Sequence, residues 1–167
     1  MGIGNRGFCF EELQLGMEAS FAKTVTESDI VNFAGVSGDF NPVHVNEEFA
    51  STTRFKGRIA HGMLTAAFIS AVLGTKLPGP GAIYVSQNLK FKAPVRIGDT
   101  VTASVQVVGL NPEKHFVTFR TFCTVKGAVV VDGEAVLLVP PMRADSPLTH
   151  SSDDTTSPAT AKPVAAA

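Results

Sequence analysis

This sequence has few cysteines and no excess of positive or negative charge. The 167 residues include two cysteines, Cys9 and Cys123, which lie far apart in the chain. This spacing fits neither a pair of metal ligands nor a disulfide framework, and it agrees with a reducing compartment. The chain has 14 basic and 15 acidic residues, a net charge of -1, and no basic cluster. This composition argues against binding to nucleic acid.

A membrane-spanning run and a secretory signal are also missing. The apolar run 63–73 has about a dozen residues, whereas a helix needs about 20 to cross a bilayer. The first residues lack the basic stretch and apolar core that together mark a secretory signal. We therefore expect a cytoplasmic protein without a membrane span.

Apolar periodicity predicts the helices and strands. The run 63–73 is apolar at nearly every helical position, so we expect a buried helix that is covered on all sides. Earlier, a strand at 19–25 precedes a helix that starts near Glu27 and ends at Gly35, and Asn46 caps a short helix. Beyond residue 80, apolar residues at alternate positions indicate strands. These later strands are predicted at 83–91, 100–107, 115–125 and 128–139, the last interrupted at Asp132 and Gly133.

This order of elements predicts an α+β fold. An antiparallel sheet wrapped around the central buried helix gives both of them an apolar partner. The chain length suits one domain, which we place at residues 1–140. Residues 141–167 are dominated by Ser, Thr, Pro, Ala and Asp without apolar periodicity, so they predict a disordered tail or linker.

Candidate catalytic residues precede the apolar helix. Asp39 and His44 are five residues apart, in a segment that Gly38 and Pro42 keep from forming one continuous helix. A carboxylate and an imidazole at the edge of an apolar core can divide the roles of general acid and base. Gly62, at the start of the helix, offers a main-chain N–H to a carbonyl oxygen. This set suits hydration of a double bond conjugated to a thioester, or hydrolysis of the thioester.

Three stretches of the sequence resemble a known family. They read Gly-Asp-Phe-Asn-Pro-Val-His at 38–44, Ala-His-Gly-Met at 60–63 and Phe-Lys-Ala-Pro-Val-Arg-Ile-Gly-Asp at 91–99. They are similar to the MaoC-like, (R)-specific enoyl-CoA hydratases of the hot-dog fold, also called hydratase 2. The resemblance spans about residues 13–140, and it implies hydration of trans-2-enoyl-CoA to (R)-3-hydroxyacyl-CoA, with dehydration as the reverse reaction. The single-domain length resembles the bacterial enzymes that supply polyhydroxyalkanoate precursors.

The resemblance also implies roles for individual residues. Asp39 and His44 align with the catalytic pair, Ser70 with a serine that helps to hold the aspartate, and Gly62 with the glycine whose N–H binds the thioester oxygen. We expect Asn41, Leu73 and Val136 to contact the substrate, the last two along the acyl tunnel. The family implies a homodimer joined edge to edge, an acyl-CoA or acyl carrier protein substrate, no metal, and no cofactor beyond the coenzyme A of the substrate.

Other interpretations of these residues stay open. Asp39 and Asn41 are also common turn residues, and Ser70 can bond back to the carbonyl one turn earlier. We interpret His61 as structural. Two further functions compete with the hydratase: a hot-dog thioesterase, and a non-catalytic module that binds acyl thioesters. The basic residues near the motifs serve either the phosphates of coenzyme A or an ordinary solvated surface; they are Arg54, Lys56, Arg58, Lys90 and Lys92.

Overall fold

The structure, a computed structural model, describes residues 6–142. All but the first two residues of the predicted tail at 141–167 lie outside this range. The strands are β1 (Glu18–Thr24), β2 (Ile83–Phe91), β3 (Thr100–Asn111), β4 (Phe116–Val125) and β5 (Ala128–Leu138). The helices are α1 (Glu27–Ser37), α2 (Pro42–Val45), α3 (Glu47–Thr52) and α4 (Gly62–Thr75). No helix within the described range is long and apolar enough to cross a membrane.

The five strands form one antiparallel sheet in the order β1-β3-β4-β5-β2. Alternation in β3 follows the predicted pattern, because Val101, Ala103 and Val105 are fully buried while Thr102 and Ser104 are half-buried. Helix α4 packs chiefly against β1, β3 and β4. The predicted α+β class and the hot-dog arrangement, a sheet curved around a central helix, are confirmed.

Half of the residues of helix α4 are buried, and the helix is not covered on every side. Seven of its fourteen residues are buried; they are Leu64, Thr65, Ala66, Phe68, Ile69, Val72 and Leu73. The exposed residues Met63, Ala67, Ser70 and Gly74 recur at intervals of three and four and so form a stripe along one side of the helix. The prediction of complete cover is therefore wrong for the single chain, because the strands that pack on α4 leave this stripe uncovered.

Two glycines correct the predicted element boundaries. Helix α1 runs through Gly35 to Ser37 and ends where Gly38 adopts a left-handed conformation with φ 76°. Strand β5 continues unbroken through Asp132 and Gly133, because it pairs with β4 on one side and β2 on the other. A Cβ atom at Gly133 would lie 2.1 Å from the main-chain oxygen of Asn88, so this glycine allows close approach of β2.

Candidate active site

A short turn and one helical turn bring Asp39 and His44 together. The main-chain N–H of Asn41 donates to Asp39 Oδ1 at 3.1 Å, and the side chain of Asn41 accepts from Val43 N. Asn41 therefore caps α2, with Pro42 at the first helical position. The sequence analysis did not predict this four-residue helix, although the Asn-Pro pair is a recognised signal for a helix start. His44 lies in its last position but one.

His44 is fixed through one ring nitrogen, while the other has no hydrogen bond to a described residue. Its side chain is buried, and Nδ1 lies 2.8 Å from the main-chain oxygen of Ile59. A carbonyl oxygen only accepts, so neutral His44 carries its proton on Nδ1 and keeps a lone pair on Nε2. Burial, the largest effect, lowers the pKa of His44 from its ordinary value of 6.5. The hydrogen bond to Ile59 and the charge of Asp39 oppose this change, and His61 adds to it.

His61 belongs to the same cluster, and its contact with the catalytic candidates was not predicted from the sequence. Its side chain is 1% exposed, and its Nε2 lies 2.9 Å from the main-chain oxygen of Asp39. The His61 ring stacks on the His44 ring with centroids 3.9 Å apart and planes tilted by 32°. One feature of the sequence indicates that His61 lies near the site: it directly precedes Gly62, a predicted site residue and the first residue of α4.

A cavity of about 380 Å³ opens beside these residues. Its lining consists of Asp39, His44, Arg54, Phe55, Ile59, Ala60, His61, Gly62, Met63, Thr65, Phe91, Lys92, Ala93, Pro94, Val95 and Val131. Gly62 is the first residue of α4, and a Cβ atom there would lie 2.8 Å from the ring of Phe91. Glycine therefore lets Phe91 pack directly against the start of the helix, next to the catalytic candidates.

Four of the predicted site residues lie elsewhere. Asn41 caps α2 and does not line the cavity. Ser70 is on the exposed stripe of α4. Leu73 is fully buried in the main hydrophobic cluster, and Val136 lies half-buried in β5, opposite Ser86 and Thr118. The structure brings Asp39, His44 and Gly62 together at one cavity, while the substrate contacts assigned to the other residues stay predictions.

The described part of the chain holds one group of three potential metal ligands, Asp39, His44 and His61, whose ligand atoms lie within 4.8 Å of one another. Both histidines use one ring nitrogen in a hydrogen bond to a main-chain oxygen. The remaining nitrogen of His61, Nδ1, is sealed from solvent. This arrangement fits a metal poorly.

Comparison with known proteins agrees with this geometry. A family model described as MaoC like domain matches residues 11–128. An (R)-specific enoyl-CoA hydratase from Rhodospirillum rubrum is 71% identical over 131 residues, which are 78% of this chain and 91% of that protein. A 3-hydroxybutyryl-CoA dehydratase from Methylorubrum extorquens is 50% identical over 139 residues, 83% of this chain and 88% of that protein.

A solved structure shares the fold as well as the sequence. The (R)-hydratase from Aeromonas caviae, described as involved in PHA biosynthesis, gives a TM-score of 0.76 at 44% identity. The match covers 78% of this chain and 99% of that chain. Because the family model also spans more than half of the sequence, this chain belongs to the family of MaoC-like domains, with the hot-dog fold.

Proposed function

We propose that this chain is an (R)-specific enoyl-CoA hydratase, a hydro-lyase that adds water to trans-2-enoyl-CoA. One observation carries the proposal: an Asp39 carboxylate oxygen and a ring nitrogen of His44 lie within 4.8 Å of each other beside the cavity. A water that bonds to both groups at about 2.8 Å spans up to about 5.6 Å. This separation is therefore within the reach of one bridging water.

The pair can supply both proton transfers of the reaction. As the water oxygen bonds to C3, one of its protons passes to the pair, and the electrons of the C2=C3 double bond shift toward the thioester carbonyl. A proton then bonds to C2, so that one molecule of water is added overall. We assign the general-base role to Asp39 and His44 together. Dehydration of the (R)-3-hydroxyacyl thioester follows the same steps in reverse.

Gly62 supports the charge that develops on the substrate. Its N–H lies at the N-terminus of α4, a helix of fourteen residues, where main-chain N–H groups and the helix dipole favour negative charge. Electrons from the double bond collect on the thioester oxygen during addition, so an N–H directed at that oxygen lowers the barrier. This role of Gly62 agrees with its place at the cavity beside both catalytic candidates.

Two basic side chains at the cavity suit the negatively charged carrier of the acyl group. Arg54 and Lys92 line the cavity, whereas Arg58 is engaged by the carboxylates of Glu27 and Glu47. We expect Arg54 and Lys92 to contact phosphate of coenzyme A, or of acyl carrier protein if that is the natural carrier. The reaction needs no cofactor beyond the coenzyme A of the substrate, and the protein acts in the cytoplasm.

A homodimer belongs to the same proposal. The exposed stripe of α4 and the edge strand β2 are both uncovered in the single chain, and β2 exposes apolar residues such as Ile83, Val85 and Phe91. Exposed apolar surface of this kind is typical of an interface. We propose that a second copy joins along β2 and that the stripe of α4 lies near the same interface. Ser70 lies on that stripe, which agrees with a tunnel near the interface.

Hydration of crotonyl-CoA tests the function. Addition of water removes the absorbance of the enoyl thioester, and a stereospecific dehydrogenase identifies the (R) product. Loss of absorbance with an (R) product and no free thiol supports the hydratase. Release of free thiol indicates the thioesterase instead, and binding of the thioester without either change indicates a non-catalytic module.

A further inference from the structure

His61 contacts both members of the catalytic pair from a different part of the chain. It caps the N-terminus of α4, whereas Asp39 lies in the turn after α1 and His44 lies in α2. From these contacts we propose that His61 is a positioning residue for hydration, which holds the main chain of Asp39 and supports the ring of His44. This inference rests on the proposed function of the same site.

The hydrogen bond to Asp39 has a defined direction. Since the Asp39 carbonyl only accepts, Nε2 of His61 carries the proton and donates at 2.9 Å. The other hydrogen bonds of Asp39 are local: its N–H donates to Ser37 Oγ, and its carboxylate accepts from Asn41 N. Among the described residues, His61 is therefore the one group that hydrogen-bonds Asp39 from more than two positions away in the chain.

The His61 ring also forms part of an aromatic stack. Phe33 of α1 lies against it with ring centroids 5.0 Å apart and a tilt of 52°, and His44 lies 3.9 Å away. Side chains from α1 and α2 thus meet at His61, the N-cap residue of α4, which is 1% exposed. Among the described residues, the His44 ring has one hydrogen bond, to the main-chain oxygen of Ile59, and the stack further restricts the tilt of this ring.

The geometry does not favour proton transfer by His61 itself. Nε2 donates to the Asp39 carbonyl, and Nδ1 is buried, with no hydrogen-bond partner among the described residues and no solvent contact. Neither nitrogen is therefore available to a water in the cavity. His61 therefore acts on the reaction through Asp39 and His44, both of which it contacts.

Two substitutions test the hydrogen bond of His61 and its aromatic contact separately. His61→Phe keeps an aromatic ring between Phe33 and His44 but removes the donor, while His61→Gln keeps an N–H donor near the place of Nε2. Since a misplacement of about 1 Å costs about 100-fold in rate, we expect His61→Phe to lower kcat about 100-fold while KM changes less than about threefold. We expect His61→Gln to recover at least tenfold of this loss. His115→Phe is the control, since His115 also packs against an aromatic ring, that of Phe10, but lies outside the cavity.

The measurements are kcat and KM for crotonyl-CoA, with thermal unfolding of each variant. Unchanged kcat in His61→Phe, or a kcat in His61→Gln no better than in His61→Phe, overturns the proposal. If His61→Phe does not fold, ¹⁵N NMR of the wild-type imidazole decides: an Nε2–H tautomer bonded to a main-chain carbonyl supports the proposal, and an Nδ1–H tautomer overturns it. Failure of the wild type to hydrate crotonyl-CoA would count against the proposed function, while the NMR result judges the hydrogen bond separately.

Discussion

At the scale of single residues, the site depends on two groups that act on one water. Removing either group should lower kcat about as much as removing both, because a water held by a single group is poorly placed and poorly activated. We expect Asp39→Asn and His44→Ala each to lower kcat about 100-fold or more, with little further loss in the double variant. Crotonyl-CoA kinetics measure this.

A matched control distinguishes chemistry from folding in that experiment. Asp132→Asn removes a carboxylate from β5 that pairs loosely with Arg120 at 3.8 Å and lies outside the cavity. We expect wild-type kcat and KM for this control. Additive losses in the double variant, or equal losses in Asp132→Asn, would contradict the shared role of Asp39 and His44.

The buried imidazole of His44 also predicts how stability depends on pH. Since its pKa is lowered in the folded protein from 6.5, the unfolded chain binds more protons as the pH falls through 6.5. The free energy of unfolding should therefore decrease on acidification from about pH 7 and level off only below the folded pKa. Urea unfolding at pH 7.5 and 5.5 measures the change.

The variant His44→Gln isolates the contribution of this one group to the pH dependence. Glutamine does not titrate, and the remaining histidines are common to both proteins, so the difference between the two slopes belongs to His44. We expect the variant to lose less stability than the wild type between pH 7.5 and 5.5. Equal slopes would show that His44 is not held in an environment that disfavours its charge.

At the scale of elements, apolar periodicity predicted helices and strands, which depend on neighbouring residues. It did not predict contacts between elements that are distant in the sequence. The alternation in β3 and the apolar run of α4 come from a few consecutive residues, so both elements were found from the sequence. The stack of His61 on His44 joins residues from two helices, and no spacing in the sequence records it. Likewise, the apolar composition of α4 could not reveal that Ser70 faces away from the strands that cover the helix.

The continuity of β5 shows how pairing on both sides overrides a local turn signal. Gly133 predicts an interruption of the strand. In the structure, the absence of a side chain at Gly133 instead lets the main-chain carbonyl of Asn88 in β2 approach closely. Gly133→Ala should therefore destabilise the protein by about 1–3 kcal/mol through overpacking between these strands. Urea unfolding at constant pH measures the loss.

Helix α1 offers a matched glycine for comparison. Gly35 has a right-handed helical conformation, and a Cβ atom there would meet nothing within 4 Å. Gly35→Ala should stabilise the protein by up to about 1 kcal/mol, since alanine favours a helix more than glycine does. If both substitutions change the free energy of unfolding in the same direction, close approach of β2 does not explain why position 133 is glycine.

At the scale of the whole molecule, the single chain leaves one edge of its sheet uncovered. Helix α4 packs chiefly on β1, β3 and β4, while the edge strand β2 is exposed along most of its length. A second copy joined along β2 would cover this edge. We therefore expect the wild-type protein to have about twice the 17.5 kDa mass of the chain in solution.

A charge placed on β2 tests this arrangement, because an unpaired carboxylate buried in an interface is costly. Val85 is 50% exposed in the single chain, and Val108 of β3 is 44% exposed but lies in an inner strand. Val85→Asp should therefore shift the protein toward monomer, whereas Val108→Asp should keep the wild-type mass. Light scattering after size-exclusion chromatography measures both. If Val85→Asp remains a dimer while Val108→Asp dissociates, the copies meet along a different surface, and the exposed stripe of α4 needs another partner.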